Sequence, residues 1–572
     1  MAYLHYPERP ERLTAEFVDE VFEALIARIA EAEASPSADD WDALVRDWNA
    51  FRFYYSSEWS RVNFRLSANF SDEDAIAAEQ YFRDRVIPAV DDREDHIVSA
   101  LLDSRHRPEL EARYGRYFFR RSEVARAAMA SVNSDLRMRE AELQNRYNRL
   151  KATAQVVVEG RAMTFDEAES LFTSPDRELR RQAYCATSEW ILERRDELAG
   201  IFDELVAIRH RMALNLGYDD FTKLGYEMRE RTDYGPADTA RFRRNIFSHF
   251  LPINRALVDD HARRIGVDRL SVIDRAYDPD RSLPRGIAGP VETQLDRAAR
   301  LFASLSPRLG EHFATMLDEN LIDLPNRPGK YGGAFCTARH DEGRCAVLLN
   351  SVGDASDVVT LLHEMGHAFQ NWESTGIELF DLRSPTSDVA EIHSTSMEFL
   401  GMRHVDELLP EEYVGRFRRN AWRNAVNQLV GIARADEFQH WIYEHPEATI
   451  DEREQMWAEM GERYSSGLDV TGYERYQRTS WYEIGHLFMA PFYMIDYALA
   501  RLVSMQLALI DDDDHERAMA IYLELCGLGG TRSFKGAVEQ VGLRSPFEEE
   551  MVAELAARVG ARIAGEGEEA RD

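Results

Sequence analysis

The sequence predicts a mainly α-helical protein with one small β-sheet. Through residues 1–150, apolar residues recur at three- and four-residue steps, as in Phe17, Val21 and Leu25, with charged residues on the other faces. The same periodicity resumes at Asp357 and continues almost to the end of the chain. Between these stretches, a glycine-rich segment at residues 331–334 and an apolar run at residues 346–350 indicate a local change to extended structure.

Individual elements follow from local signals. Residues 154–158 alternate in polarity before Glu159-Gly160, which predicts a strand entering a turn. The stretch Ser174-Pro175-Asp176 predicts the start of a helix, with serine as the cap and proline at the first helical position. Residues 346–350 suit a short strand.

Composition limits the classes of function. The 572 residues include 69 Lys and Arg against 102 Asp and Glu, a formal charge of −33, which argues against a nucleic acid or anionic membrane as partner. The chain is 44% apolar and 10% aromatic, enough for a buried core. Its four cysteines include no CxxC pair, which argues against a cysteine-rich zinc site or a disulfide scaffold.

We expect neither a signal peptide nor a membrane-spanning segment from the sequence. The first residues lack a basic start followed by an apolar run, so we expect no signal peptide. The most apolar late stretch, residues 486–510, is interrupted by Asp496, Arg501 and Gln506, which favours a buried helix over a membrane span. We therefore expect a soluble, cytoplasmic protein.

The most informative motif is an HExxH at residues 363–367. On a helix, His363 and His367 lie about 40° and ~6 Å apart, so both imidazoles can reach one zinc ion. Glu364 lies near the same face and can accept a proton from a water molecule without binding the metal. Residues 354–357 offer capping side chains for such a helix. A chance HExxH is expected in about one comparable sequence in twenty.

A hydrolytic zinc ion needs a third protein ligand. Glu391 follows His367 by 24 residues, which leaves room for a helix end, a turn and a second helix that crosses the first. Glu398 lies two turns further on the same face, where it could orient a ligand imidazole, and we place Asp388 with it behind the ligands. Taken alone, either glutamate would more commonly be a solvated helix carboxylate.

A third segment carries His486, Tyr493 and Tyr497. The two tyrosines are one helical turn apart, so both phenols could point into the same space. Peptide hydrolysis develops an oxyanion, which phenol or imidazole donors would stabilise. The alternative is that aromatic residues at helical spacing are ordinary core packing.

Together, these motifs resemble the family of thimet oligopeptidase and oligoendopeptidase F. The HExxH with Glu391 at this distance carries the resemblance, and further matching segments occur in the order of the family over about residues 150–550. They are residues 174–183, 216–218, 330–336, 348–350, 357–362, 390–398 and 528–531. Residues 1–150 agree only in being helical.

The resemblance implies a helical fold of two lobes that enclose a deep channel, with one Zn²⁺ per chain on the channel wall and short peptides as substrates. It implies His363, His367 and Glu391 as zinc ligands and Glu364 as the general base.

The resemblance also implies that His486 and the tyrosines donate to the transition state. Pro491 falls where the thimet branch has one tyrosine, and we assign the role to Tyr493 and Tyr497, which keep the four-residue step. As a hypothesis, backbone groups of Gly332, Gly333 and Ala334 bind an extended peptide, as in strand addition.

On this basis we divide the chain into consecutive segments. Residues 1–150 form an N-terminal helical lobe, and residues 151–330 form a helical middle region that completes the channel wall. Residues 331–560 form the catalytic, zinc-binding region, and residues 561–572 form a frayed acidic tail.

Two other classes stay open. A helical di-iron carboxylate protein would use two Glu-x-x-His pairs, Glu364 with His367 and Glu483 with His486, plus Glu391 and Glu398. A catalytically silent peptide-binding protein would bind peptides without using a metal ion or a general base. The sequence predicts no cleavage preference, peptide length limit or oligomeric state.

Overall fold

The computed structural model describes residues 12–279 and 282–569, with the side chains of Asp92 and residues 565–569 excluded. Helices dominate these residues, and the strands form two small sheets, which confirms the mainly α prediction. The first fifteen helices are α1 (Ala15–Ala34), α2 (Asp39–Ala68), α3 (Glu73–Tyr81), α4 (Ile87–Asp103), α5 (Arg107–Tyr114), α6 (Arg116–Ala128), α7 (Ser134–Ala152), α8 (Phe165–Ser170), α9 (Arg177–Glu193), α10 (Arg195–Asn215), α11 (Phe221–Glu227), α12 (Pro236–Asn245), α13 (Leu251–Ile265), α14 (Val291–Leu305) and α15 (Pro307–Asp318).

The remaining helices follow the longest strand. They are α16 (Ala355–Glu373), α17 (Phe380–Arg383), α18 (Ser387–Leu400), α19 (Glu411–Glu444), α20 (Ile450–Arg463), α21 (Glu474–Thr479), α22 (Gly485–Met489), α23 (Met494–Asp513), α24 (His515–Leu528), α25 (Phe534–Gln540) and α26 (Glu549–Glu569). The segment predicted as a frayed tail is thus helical as far as Glu569, and residues 570–572 lie outside the described part of the chain.

The strands in the described part of the chain are β1 (Gln155–Val158), β2 (Arg161–Thr164), β3 (Ile322–Pro325), β4 (Phe335–Arg339) and β5 (Arg344–Ser351). β1 and β2 form an antiparallel hairpin, and the turn residues Glu159 and Gly160 both have positive φ, as a tight two-residue turn requires. β5 lies in the centre of the second sheet, parallel to β3 and antiparallel to β4. The strands predicted at residues 154–158 and 346–350 are therefore confirmed.

The predicted cap of the helix after Ser174 is wrong. α9 begins at Arg177, and its N-cap is Asp176, whose carboxylate accepts from the backbone N–H groups of Glu178 and Leu179. A carboxylate also interacts favourably with the positive end of the helix dipole. Pro175 therefore lies outside the helix.

The chain divides into two compact units, each built from three stretches of sequence. Unit 1 comprises residues 1–126, 284–414 and 503–543, and unit 2 comprises residues 127–283, 415–502 and 544–572. Three of the division points fall inside α6, α19 and α23, where no change in composition marks them. The consecutive segments that we draw from the sequence remain a prediction about organisation along the chain.

Unit 1 has an apolar core between its N-terminal helices. Trp41, Trp48 and Phe51 on α2 are fully buried against Phe22 on α1. Leu382, about 330 residues later in the chain, joins the same cluster. Burial of this apolar area is what holds α17 and the chain that leads into α18.

A fully buried arginine stabilises unit 2 through an ion pair and hydrogen bonds. Arg209 on α10 forms an ion pair with Glu140 at 2.7 Å and donates to the carbonyl oxygens of Leu487 and Phe488. Tyr147 stacks on Phe488 with ring centroids 4.0 Å apart. These contacts fix the short helix α22. Within the described residues, no helix is long and apolar enough to span a membrane.

Candidate metal centre

The helix that carries the HExxH begins in the predicted place. Asp354 is its N-cap, and Asp357 completes a capping box by accepting from the Asp354 backbone N–H at 2.9 Å. The Asp357 carboxylate also accepts from the backbone N–H groups of Val352 and Gly353, at 2.8 and 2.7 Å. This carboxylate therefore joins the end of β5 to the start of α16 and fixes where the helix begins.

The three predicted metal ligands come from two helices that cross at a glycine. α16 carries His363 and His367, and α18 carries Glu391. A β-carbon on Gly366 would lie 2.6 Å from both the carbonyl oxygen of His393 and the Cα of Ser394. Only glycine permits this approach, which brings the three predicted ligands together.

The donor atoms of these residues form a compact group. Atoms of His363, His367 and Glu391 all lie within 4.8 Å of one another. Oε2 of Glu391 is 3.5 Å from Nε2 of His363 and 4.0 Å from Nε2 of His367. The two imidazole rings are nearly perpendicular, at 85°. Each ring therefore turns its Nε2 toward one point beside the carboxylate.

Further side chains orient these donors. Nδ1 of His363 lies 2.7 Å from Oε1 of Glu398, an arrangement in which the protonated Nδ1 donates and Nε2 is left as the metal-binding atom. The Ser394 hydroxyl donates to Oε2 of Glu391 at 2.9 Å. Asp388 lies in the first turn of α18 and accepts from the Thr386 hydroxyl at 2.5 Å and from the Val389 N–H at 2.8 Å.

Glu364 occupies the same buried face of α16. The pKa of its carboxyl is raised to about 7, mainly by burial and also by the nearby Glu391, while His363 and the backbone N–H of Cys336 oppose the shift. His363 has a raised pKa: burial lowers it, but Glu398, Glu391 and Glu364 outweigh burial. Burial and His363 together lower the pKa of His367.

This environment fits a divalent cation. Three carboxylates, Glu364, Glu391 and Glu398, converge on two imidazoles in a largely buried pocket, and such concentrated negative charge is unfavourable without a compensating positive charge. Two imidazole nitrogens and one carboxylate oxygen are a donor set that suits zinc and leaves a coordination position open. Within the part of the chain that the structure describes, this is the one group of its kind.

The glycine-rich segment lies directly before an edge strand. Gly332, Gly333 and Ala334 precede β4, which among the described strands pairs only with β5. The Asn350 side-chain amide donates to the carbonyl oxygens of Tyr331 and Gly333, both at 2.7 Å. The three residues line a cavity of ≈ 190 Å³. β4 reaches the metal centre at Cys336, whose N–H faces Glu364.

His486, Tyr493 and Tyr497 form a second group, in unit 2. The ring centroids of His486 and Tyr493 are 5.9 Å apart, those of His486 and Tyr497 are 5.8 Å apart, and those of the two tyrosines are 5.1 Å apart. All three side chains are partly exposed. The structure thus brings these three predicted residues together with one another.

An unusual backbone turn sets the position of Tyr493. The preceding residue, Phe492, is buried and has a φ of 61°, which is rare for a residue with a large side chain. Its N–H donates to Gln439, and its carbonyl oxygen accepts from Arg231. This turn after Pro491 explains why the tyrosines do not simply continue the helix of His486.

Sequence reasoning missed several residues of these two groups. Gly366 permits the helix crossing, Ser394 holds Glu391, and Arg231 binds Asp496 at 2.6 Å with both side chains fully buried. A signal for the ion pair was present, because Asp496 interrupts an apolar run. Gly366 carries no such signal, since the HExxH pattern accepts any residue there.

Comparisons with known proteins agree with this arrangement. Residues 307–557 match the model of Peptidase family M3, and residues 8–129 match the Peptidase M3 N-terminal domain. A solved structure described as PZ peptidase A with an inhibitor superimposes with a TM-score of 0.87 at 28% identity, covering 98% of this chain and 99% of that one.

Two curated relatives match over shorter segments. Oligoendopeptidase F of Lactococcus lactis subsp. cremoris is 26% identical over 211 residues, 35% of this chain. Oligopeptidase PepF of Bacillus subtilis strain 168 is 26% identical over 164 residues, 27% of this chain. The matched segments span only 34% and 24% of the length of these two proteins.

The protein is of the class of helical HExxH proteins related to oligopeptidases. Its helical fold, its HExxH helix and these matches define that class. The chain belongs to peptidase family M3, as the resemblance in its sequence predicts.

Proposed function

We propose that this protein is a zinc-dependent endopeptidase that hydrolyses short peptides. The observation that carries the proposal is the convergence of His363, His367 and Glu391 within 4.8 Å, with Glu364 beside them on α16. Membership of peptidase family M3 and the names of the related oligopeptidases support a peptide substrate. The cytoplasmic location expected from the sequence stays a prediction.

In this proposal, His363, His367 and Glu391 hold one Zn²⁺ per chain. When bound, the ion would polarise the scissile carbonyl and lower the pKa of a water molecule. Glu398 keeps His363 in the tautomer that presents Nε2, and the Ser394 hydroxyl restrains the Glu391 carboxylate.

Glu364 acts as the general base. Its carboxylate accepts a proton as water attacks the carbonyl carbon and returns that proton to the leaving amine, so that the amine departs neutral. Its burial beside Glu391 raises its affinity for the proton, which suits a group that must hold the proton between the two steps.

His486, Tyr493 and Tyr497 act as hydrogen-bond donors to the oxygen on which negative charge develops. Removal of one such donor in other enzymes slows turnover by about 10²–10³. The family resemblance supports this role, and the mutual contact of the three rings supports a shared target. Backbone groups of Gly332, Gly333 and Ala334, before the edge strand β4, would bind the extended peptide.

The test uses native protein and Glu364→Gln, with Glu378→Gln as a control because Glu378 is an exposed glutamate of the same unit. Each protein is incubated with a mixed pool of short peptides, products are identified by mass spectrometry, and metal content is measured on the same samples. We expect internal cleavage by native protein and Glu378→Gln only, with about one zinc per chain in all three.

Other results would contradict the proposal in distinct ways. Full activity of Glu364→Gln would exclude Glu364 as the base. Two iron atoms per chain in place of zinc would favour a di-iron carboxylate protein. Stoichiometric peptide binding without cleavage by zinc-loaded native protein would favour a peptide-binding protein.

A further inference from the structure

An arginine beside His486 and Tyr493 has no acidic partner among the residues that the structure describes. Arg229 lies in the turn after α11, and its guanidinium carbon is 5.3 Å from the centroid of the Tyr493 ring. Its charge also acts on His486 and lowers the pKa of that imidazole, after burial as the larger cause. Arg229, His486 and Tyr493 therefore form one cluster within unit 2.

The Asp496 carboxylate near this cluster is already bound by another arginine. The guanidinium groups of Arg229 and Arg231 both interact electrostatically with this carboxylate. Arg231 binds Asp496 at 2.6 Å, and neither side chain is exposed. Arg229 adds a second positive charge that this carboxylate does not neutralise through a hydrogen bond.

One hydrogen-bond donor of the half-buried Arg229 is also unused. Among the described residues, no carboxylate lies within 4.0 Å of its guanidinium, and its Nε is buried without a hydrogen-bond partner. A buried N–H group left in this state is unfavourable, since it loses hydration without compensation. Burial accordingly lowers the pKa of Arg229, with Arg231 adding to the shift and Asp496 opposing it.

A carboxylate is the group that would complete the site. Guanidinium and carboxylate groups match in shape and form two parallel, charge-assisted hydrogen bonds, which are stronger than those between neutral groups. A peptide offers carboxylates from two sources, its C-terminus and the side chains of Asp and Glu. The partly exposed cluster of His486 and Tyr493 is where our proposed function places the substrate.

We propose that Arg229 binds a carboxylate of the peptide substrate and makes the protein prefer peptides that carry one near the scissile bond. This inference rests on the proposed function, because it requires that His486 and Tyr493 face the substrate. It names Arg229 as a specificity-determining residue.

The test compares matched peptides and matched variants. One peptide pair differs only in a free or an amidated C-terminus, and another differs only in Glu or Gln near the cleavage site. The variants are Arg229→Met, which removes the charge, and Arg229→Lys, which keeps it. Arg434→Met is the control, because Arg434 is also stacked on an aromatic ring, that of Trp457, and also has an unpartnered Nε within unit 2.

We expect native protein to favour the carboxylate member of at least one pair by about tenfold in kcat/KM, mainly through KM, since one charge-assisted contact is at stake. Arg229→Met should reduce this ratio to less than about twofold, whereas Arg229→Lys and Arg434→Met should retain most of it. The pair that shows the effect identifies the source of the carboxylate. Equal ratios in native protein and Arg229→Met, or no preference in native protein for either pair, would overturn the inference. Melting temperatures of all variants exclude misfolding as the cause.

Binding measurements separate this inference from the proposed function. The same peptide pairs are titrated into Glu364→Gln with and without Arg229→Met, so that no turnover is needed. A carboxylate-dependent affinity that disappears with Arg229→Met supports the inference even if native protein cleaves nothing, in which case only the proposed function fails. Cleavage by native protein together with equal affinities for both members of each pair overturns the inference alone.

Discussion

The α-carbon of Gly366 packs so closely on the backbone of His393 that a β-carbon there would lie 2.6 Å from the His393 carbonyl oxygen. This contact sets the distance between α16, which carries the two histidines, and α18, which carries Glu391. Helix axes approach most closely where small residues face each other, and here the approach brings three donor groups to one point. The helix crossing thus requires a glycine between Met365 and His367, although the motif does not specify one.

We predict that Gly366→Ala separates the two helices and weakens metal binding. The added methyl group meets backbone atoms, which cannot rotate away, so the free energy of unfolding should fall by about 1–3 kcal/mol. Zinc content after dialysis and urea unfolding check both effects. Gly527→Ala on α24 is the control, because a β-carbon there meets no atom within 4 Å. Unchanged zinc content in Gly366→Ala would contradict the prediction.

Glu398→Gln should reduce zinc affinity while leaving the fold intact. The amide is close in size to the carboxylate, but it is a weaker acceptor for the His363 Nδ1 proton, and it no longer raises the basicity of the ring. Loss of such a partner lowers metal affinity by about 10–100-fold in other proteins. Competition with a chromogenic chelator measures the affinity, with Glu378→Gln as the matched control. Equal affinity in native protein and Glu398→Gln would show that Glu398 does not orient the ligand.

Gly225→Ala should displace the turn that positions Tyr493. A β-carbon at this point of α11 would lie 2.5 Å from the Phe492 ring, which is already packed against Phe221 and Tyr443. We expect a loss of about 1–3 kcal/mol in the free energy of unfolding and a lower kcat on any peptide that the native protein cleaves.

The control for this change is Gly431→Ala on α19, where a β-carbon meets no atom within 4 Å. Because alanine is the better helix former, this variant should be unchanged or about 0.5–1 kcal/mol more stable. If both variants were equally stable and active, the Phe492 turn would not depend on Gly225.

Stability should depend on pH through His340. Burial, with Arg383 as a further cause, lowers the pKa of this imidazole to about 3, while Asp341 opposes the shift. The ordinary value is 6.5, so below that pH the unfolded chain takes up a proton that the native protein does not. The free energy of unfolding should therefore fall as pH drops from 6.5 toward 3, and this residue should contribute no pH dependence above that range.

His340→Phe tests this, because a phenyl ring can keep the contacts with Phe53 and Phe380. In this variant, the free energy of unfolding should depend less steeply on pH in the acid range, by about 1.4 kcal/mol per pH unit. Urea midpoints measured across that range with a chelator present exclude the contribution of metal binding. Parallel pH profiles for native protein and His340→Phe would contradict the prediction.

The sequence predicted the local chemistry well because helical spacing is periodic. His363 and His367 share a face whatever the rest of the chain does, and Asp354 and Asp357 cap that helix within one turn. The hairpin at Glu159-Gly160 is equally local. By contrast, Ser174-Pro175-Asp176 offers two possible caps two residues apart, and it is the Asp176 carboxylate that binds the first N–H groups of the helix.

The sequence by itself determined the helical class, the HExxH pair and the family, because these depend on residue spacing along the chain. Only the tertiary structure decided which atoms meet: the crossing of α16 and α18 at Gly366, the turn at Phe492, and the buried Arg229 Nε that has no hydrogen-bond partner among the described residues. Each of these joins residues that are far apart in the chain or depends on packing around one residue. Such contacts arise from close packing and charge balance in three dimensions, and these leave no periodic pattern in the sequence.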